Sequence, residues 1–363
     1  MQGRGFIVKG IVASAALGWA WVAMSGGAQA SNGSCSFSAN TGWSCSGEGN
    51  ANTNAAVGQT TGAATVRTAT GLQTATVSNH IANVFSSTRA GRQSAMLNET
   101  GIAAGDNGMP YGLWLSGGIT SLSNTDVSND FKGTTGGFTA GFDYAPSDNL
   151  IVGLSVGREK LDLTTNFNGG TVDRSGYSLA PYAGYNFGQG TTVDLLGSYT
   201  FLDADVTRAL GAGYGNYDGW RGMVATNAHH TLHFADLALR GDVGYLYSYE
   251  SQGSYLETGS GATIAERNLN LSQGKIGARA TYALTDTFEP YFQAHYTRDF
   301  VFNRVSASAT TRQPDNDPNQ VTLAIGGDWF PTDQASLGFE VDHGVARAHE
   351  RVLSLLANAR LRF

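Results

Sequence analysis

The sequence predicts an all-β fold: a closed antiparallel barrel of about twelve strands, set in a membrane and preceded by one α-helix. Three observations carry that prediction. First, between Met109 and Phe363 apolar residues fall on alternate positions in run after run, which places them on one face of a strand. Second, the connections between runs alternate between short turns and longer stretches rich in Gly, Asn, Asp or Ser, as in a transmembrane barrel. Third, charged residues are 14% of the chain against a usual ~25%, and glycine is 49 of 363 residues against a usual ~7%. Mean hydropathy is only −0.18, because a barrel strand gives half its residues to the lumen.

Residues 1–30 read as a secretory signal peptide. Arg4 and Lys9 form its basic start, and Ile11 to Met24 its apolar run. That run is shorter than the ~20 residues a spanning helix needs. Ala28-Gln29-Ala30 fits a small-x-small cleavage site, with Ser31 as the first mature residue. No later run could span as a helix, which leaves the closed barrel as the membrane-crossing solution for an exported chain.

Residues 31–62 are rich in Ser, Asn, Gly, Thr and Ala, without periodicity, and read as loosely ordered. They hold both cysteines, Cys35 and Cys45. In an oxidising compartment these are candidates for a disulfide that closes a short loop. Two thiolates with no nearby His make only half a zinc site.

Residues 63–108 carry a helical pattern. Leu72, Val77, Ile81, Val84 and Phe85 recur at helical spacing, with Asn79, His80, Asn83, Ser86 and Arg89 opposite. No second helix follows for it to pack against.

The barrel runs come next. Leu113 and Leu115 oppose Trp114 and Ser116 in the first, and Phe138, Phe142 and Tyr144 oppose Thr139 and Asp143 in the second. The third carries Leu150, Val152, Leu154 and Val156, and the fourth spans Gly176 to Phe187. Val193, Leu195, Tyr199 and Phe201 face lipid in the fifth, and the sixth runs from about Trp220 to His230. In the seventh, Leu237, Leu239, Val243, Tyr245 and Tyr247 face out while Arg240 and Asp242 face the lumen. The eighth sets Ile276 and Tyr282 against Lys275 and Arg279, and the ninth sets Phe292 and Tyr296 against Gln293, His295 and Asp299. The tenth opposes Leu323, Ile325 and Trp329 to Thr322 and Asp328. The eleventh opposes Leu337, Phe339 and Val341 to Glu340 and Asp342. In the last, Leu353, Leu355, Ala357, Ala359, Leu361 and Phe363 share one face, with Ser354, Asn358, Arg360 and Arg362 on the other.

That last run resembles the terminal strand of bacterial outer-membrane barrels, in which an aromatic end after alternating apolar residues marks the chain for insertion. The resemblance implies that Leu361 and Phe363 form a barrel assembly signal. With YGLWLSGG from Tyr111, GGFTAGFDY from Gly136, EPYFQAHYTRDF from Glu289 and the closing LANARLRF, residues 109–363 resemble the barrel domain of the autotransporters, the type V secreted proteins of Gram-negative bacteria. The resemblance implies an order of signal peptide (1–30), passenger-like segment (31–62), helical linker (63–108) and barrel (109–363). It implies that the helix threads the lumen and that the barrel exports and displays the N-terminal segment at the cell surface. The runner-up reading is a passive pore plugged by its helix. Implied partners are outer-membrane lipid, the barrel-assembly machinery and periplasmic chaperones, for a monomer. Family passengers are long, whereas this segment has about thirty residues. Some members cleave themselves at an Asn-Asn pair, which the linker here lacks.

Net charge is −7, which argues against nucleic acid as a partner. His229, His230 and His233 near Asp236 would need to converge to bind a metal, and His295 with Asp299 would need a serine to make a catalytic set. Neither is completed in the sequence, so the expectation is no enzyme, metal or cofactor. Arg240, Asp242, Lys275, Arg279, Glu340 and Asp342 are expected to line the lumen and meet the polar face of the helix, with Arg89 and Arg92 pairing to lumen carboxylates. Ile81→Asp is expected to be tolerated in a polar, wet lumen, and Leu323→Asp on the lipid face to be costly.

Overall fold

A computed structural model describes residues 35–38, 42–45, 57–86, 110–126, 130–166, 169–208, 211–302, 317–332 and 334–363. A two-stranded hairpin, β1 (Cys35–Ser38) and β2 (Gly42–Cys45), precedes helix α1 (Val57–Ser86). The barrel strands begin with β3 (Tyr111–Asn124), β4 (Phe131–Ser147), β5 (Leu150–Thr165) and β6 (Gly170–Gly188). They continue with β7 (Thr191–Arg208), β8 (Gly213–Phe234) and β9 (Leu237–Gln252). A small hairpin of β10 (Tyr255–Leu256) and β11 (Thr263–Ile264) follows. Then come β12 (Arg267–Tyr282), β13 (Phe288–Phe302), β14 (Asn319–Trp329), β15 (Ala335–Val345) and β16 (Glu350–Arg362).

Twelve of these strands close an antiparallel barrel. Closure joins the first and last of them, with Arg362 opposite Gly112 and Glu350 opposite Asn124. Burial alternates along each strand as lipid outside and a filled lumen require. In β3 Leu113 and Leu115 are exposed, while Trp114 and Ser116 are buried. Phe363 stacks on Tyr111 with ring centroids 6.3 Å apart, and its N–H donates to the Tyr111 carbonyl at 3.1 Å. Leu361 sits opposite Leu113. Phe363→Asp would put a charge into this aromatic seam and is expected to lower the yield of heat-modifiable barrel strongly. An unchanged yield on gels would remove the assembly role from that residue.

The strands depart from expectation at one end of the barrel. The sixth run was expected from Trp220 to His230, but β8 begins at Gly213 and has 22 residues. The fourth was expected from Gly176, but β6 begins at Gly170. A tilted strand needs only ~9–11 residues to cross a bilayer, so β6, β7 and β8 continue well beyond it. Gly, Asn and Tyr made Gly213–Gly219 read as a loop. The period of two is carried there by Tyr214 pointing out and Tyr217 pointing in, stacked on Tyr255 with centroids 6.0 Å apart.

The helix also starts earlier than expected, at Val57 rather than Ala63. Its 30 residues span about 45 Å at ~1.5 Å each. From Thr61 to Phe85 none of its residues is exposed. Thr65, Thr68 and Thr70 satisfy their hydroxyls on carbonyls three or four residues back, at 2.9, 3.0 and 2.6 Å. That local solution lets a threonine-rich segment stay helical inside the barrel.

Candidate functional site

The site is the seat of α1 within the lumen. Its direction follows from its contacts. Gly62 lies against Leu269, near the start of β12 and next to a long connection. Arg67 donates to Asp299 at 3.3 Å, beside the long connection between β13 and β14, and to Glu350 at 2.6 Å, opposite Asn124 at the same end of the barrel. Ile81 and Phe85 pack at Gly184, close to the short turn after β6. Short turns face the periplasm, so the N-terminal end of α1 points outward.

Successive helix residues turn by about 100°, and Ser78, Asn79, His80 and Ile81 therefore reach four different sectors of the wall. Ser78 donates to Asp194 on β7 at 2.7 Å and lies 3.2 Å from His229 on β8. Asn79 accepts from Arg240 on β9 at 3.1 Å, and Asn83 accepts from the same guanidinium at 3.4 Å. His80 bonds Asp143 on β4 at 2.9 Å and stacks on Trp114 with centroids 4.6 Å apart. Trp114 donates to Tyr182 at 2.7 Å, and Tyr182 donates to Asp143 at 2.5 Å. Ile81 meets β6, where a Cβ built on Gly184 would lie 2.3 Å from its Cγ2. Only glycine admits the helix that close.

Two halves of the lumen differ in character. On one side Val66, Val77, Ile81, Val84 and Phe85 join Ile151, Ala180, Leu196, Met223, Ala225, Leu246, Leu269 and Leu271 in a dry cluster. On the other, cavities of about 110 and 180 Å³ separate the helix from polar wall residues. The expectation of a polar, wet lumen is therefore corrected. Ile81 is fully buried among apolar side chains, so its replacement by Asp will not be tolerated. Leu72, expected on the apolar face, lines the larger cavity.

Of the six residues predicted to line the lumen, Arg240 bonds the helix directly. Asp242 sits behind it, 3.0 Å from the Arg240 Nε and 2.5 Å from His229. Arg279 pairs with Asp328 at 2.6 Å and lies over the Tyr291 ring, while Glu340 accepts from Tyr291 at 2.9 Å. Lys275 and Asp342 line the larger cavity. Ala30, Ser31, Arg89 and Arg92 lie outside the described residues. Arg67, Ser78 and Glu350, which sequence reasoning missed, also take part, as do Asp143, Asp194 and Asp299, which it places on inward faces. No periodicity tells which inward residue the helix will meet.

Alternation along β8 separates the suspected metal cluster. His229 points into the lumen, whereas His230 is exposed and bonds Thr191 at 2.9 Å. His295 lies 3.5 Å from Asp242, and Asp299 binds Arg67, Arg347 and Gln273. Ser78, His229 and Asp242 do stand in hydrogen-bond order. But the Ser78 hydroxyl is buried and donates to Asp194, and neither cavity is lined by Ser78.

A closed barrel with an apolar outer face and a helix pinned through its lumen defines an outer-membrane β-barrel domain. The comparisons agree. The autotransporter beta-domain family matches residues 113–342, and the chain belongs to that family. Its place is the Gram-negative outer membrane. Outer membrane protein B of Rickettsia japonica is 26% identical over 255 residues, which cover 62% of this chain and 15% of that protein. Outer membrane protein B of Rickettsia rickettsii matches at the same identity and coverage. The chain thus spans about 15% of the length of these curated relatives. Among solved structures, the translocator domain of NalP from Neisseria meningitidis shares the fold at a TM-score of 0.63 and 14% identity. That match covers 84% of this chain and 99% of that one. The transport unit of AIDA-I from Escherichia coli follows at 0.54 and 14%, covering 77% and 100%.

Proposed function

We propose that the barrel exports the segment ahead of α1 and holds it at the cell surface, with α1 kept in the lumen as the tether. The observation that carries this reading is the direction of the helix. Its early residue Arg67 is held at the outer end and its later residues Ile81 and Phe85 near the short turns. On this reading the segment ahead of Val57 belongs to the outer side.

The β1–β2 hairpin offers a direct test. Its register sets Cys35 opposite Cys45, and opposed residues in an antiparallel pair lie ~4.5–5.5 Å apart at Cα, within disulfide range. The expected result on intact cells is no reaction with a membrane-impermeant maleimide before reduction, and labelling after mild reduction. Labelling before reduction would refute the disulfide. Labelling only after the outer membrane is permeabilised would refute display.

The two cavities beside the helix favour a second reading, a leak for small ions. Planar-bilayer conductance of the intact chain against one lacking α1 separates a plugged pore from a sealed anchor.

A further inference from the structure

We propose that one sector of the outer surface binds the phosphate of a phosphorylated glycolipid headgroup in the outer leaflet. The sector is a row of opposed residues across four strands. Arg351 on β16 faces Ser123 on β3, Ser123 faces Lys132 on β4, and Lys132 faces Thr164 on β5. By strand alternation all four point away from the lumen, and Arg351 and Lys132 are exposed.

The row presents a guanidinium, an ammonium and two hydroxyls, each able to donate to a phosphate oxygen. Arg351 and Lys132 are two strand spacings apart, roughly 10 Å, so their long side chains can converge on one phosphate above Ser123. An Arg fork and a mobile Lys charge are the pairing that phosphate oxygens favour. Among the described residues, no carboxylate pairs with either cation.

Depth points to a lipid. On β16 the outward residues next below Arg351 are Leu353 and Leu355, both exposed to lipid. On β4 Lys132 lies outward of Phe138. Phe138 belongs to an outward row with Arg158, Tyr177, Phe201 and Trp220. Aromatic residues of this kind mark the membrane interface. On β16 Arg351 thus stands just past the apolar band, where headgroups lie; Lys132 stands six residues beyond Phe138, with Thr134 and Gly136 between them on the outward face, and reaches back toward Arg351 across Ser123.

The neighbouring sector shows the contrast. Asp203, Asp205 and Asp218 point outward and are exposed on β7 and β8. They would repel a phosphate. Asp162 on β5 and Asp173 on β6, also outward, are both engaged by Lys160, at 3.7 and 3.4 Å, and Asp130, just before β4, accepts from the Asn166 amide at 3.0 Å. Uncompensated acids thus gather on β7 and β8, and a phosphorylated lipid is steered to the β16–β4 side.

The test is a titration of the full chain, in nonionic detergent, with diphosphorylated lipid A, read by native mass spectrometry. Loss of two charge-assisted contacts in an R351A/K132A variant should weaken binding by about tenfold or more. A D203N/D205N variant should bind at least as well as the unaltered chain. Heat-modifiable migration checks that each variant is folded. Two arms use the unaltered chain alone: dephosphorylated lipid A should bind far more weakly, and millimolar inorganic phosphate should not displace the lipid. Equal binding by R351A/K132A, equal binding of the dephosphorylated lipid, or displacement by free phosphate would each overturn the proposal.

Discussion

Replacing Ile81 with Asp is expected to unseat the lumenal helix while the barrel stays closed. Ile81 has no solvent exposure and packs beside Ile151 and Phe85, over a glycine that leaves no gap. A carboxylate there would be set among the apolar side chains of this cluster, and an unpaired buried charge costs roughly 3–5 kcal/mol. The barrel does not share the damage, because its strand ladder is continuous without the helix. The expected signature is split. Heat-modifiable migration should be retained, conductance in planar bilayers should rise, and Trp114, which now stacks on His80, should change its fluorescence. Leu323→Asp should do the reverse. Leu323 is exposed on the lipid face, so an acid there strains the barrel and leaves the helix seated. Unchanged conductance and fluorescence in the Ile81 variant would mean that the helix is not held by this contact.

The outcome at Ile81 departs from the one the sequence suggests, and the reason is physical. The strands were legible because lipid outside and a filled lumen impose a strict period of two, visible in Leu113 to Ser116 and in Leu353 to Arg362. The turns were legible where special residues sit, as at Gly188-Gln189-Gly190, with φ of 81°, 52° and 81°. The helix was legible only in part. Its lumen is dry on one side and wet on the other, so its residues carry no single apolar stripe. Val77 and Ile81 face the wall while Leu72 faces a cavity. The partners of Ser78, Asn79 and His80 come from β4, β7, β8 and β9, and only the barrel's closure brings those strands around one helix. Outer ends of β6 to β8 were lost for a different reason, since glycine and asparagine there mask an alternation kept by a few aromatic and charged residues.

Those outer ends rest on a buried ion network, and Glu250→Ala should open it. Glu250 is fully buried and accepts from Arg174 at 3.0 Å, from Arg221 at 3.3 Å and from Gln252 at 2.8 Å. Glu159 is the other acid in the network, bonded by Arg221 and 3.7 Å from Arg174. Removing Glu250 leaves two buried guanidinium groups to share one partly exposed carboxylate. Breaking such a network costs roughly 3–5 kcal/mol. The loss should be local, because the membrane-crossing parts of the strands are held by separate ladder bonds. Hydrogen exchange should quicken on Gly170–Gly176, Leu202–Arg208 and Gly213–Arg221, while the short-turn ends keep their protection. Arg221→Met added to Glu250→Leu restores charge balance, leaving Arg174 with Glu159, and apolar replacement of a buried pair is often neutral. This double variant should recover most of the protection lost in Glu250→Ala, a coupling that two independent sites would not show. Normal exchange in Glu250→Ala, or no recovery in the double variant, would mean that packing around Tyr217 and Tyr255 holds the extension instead.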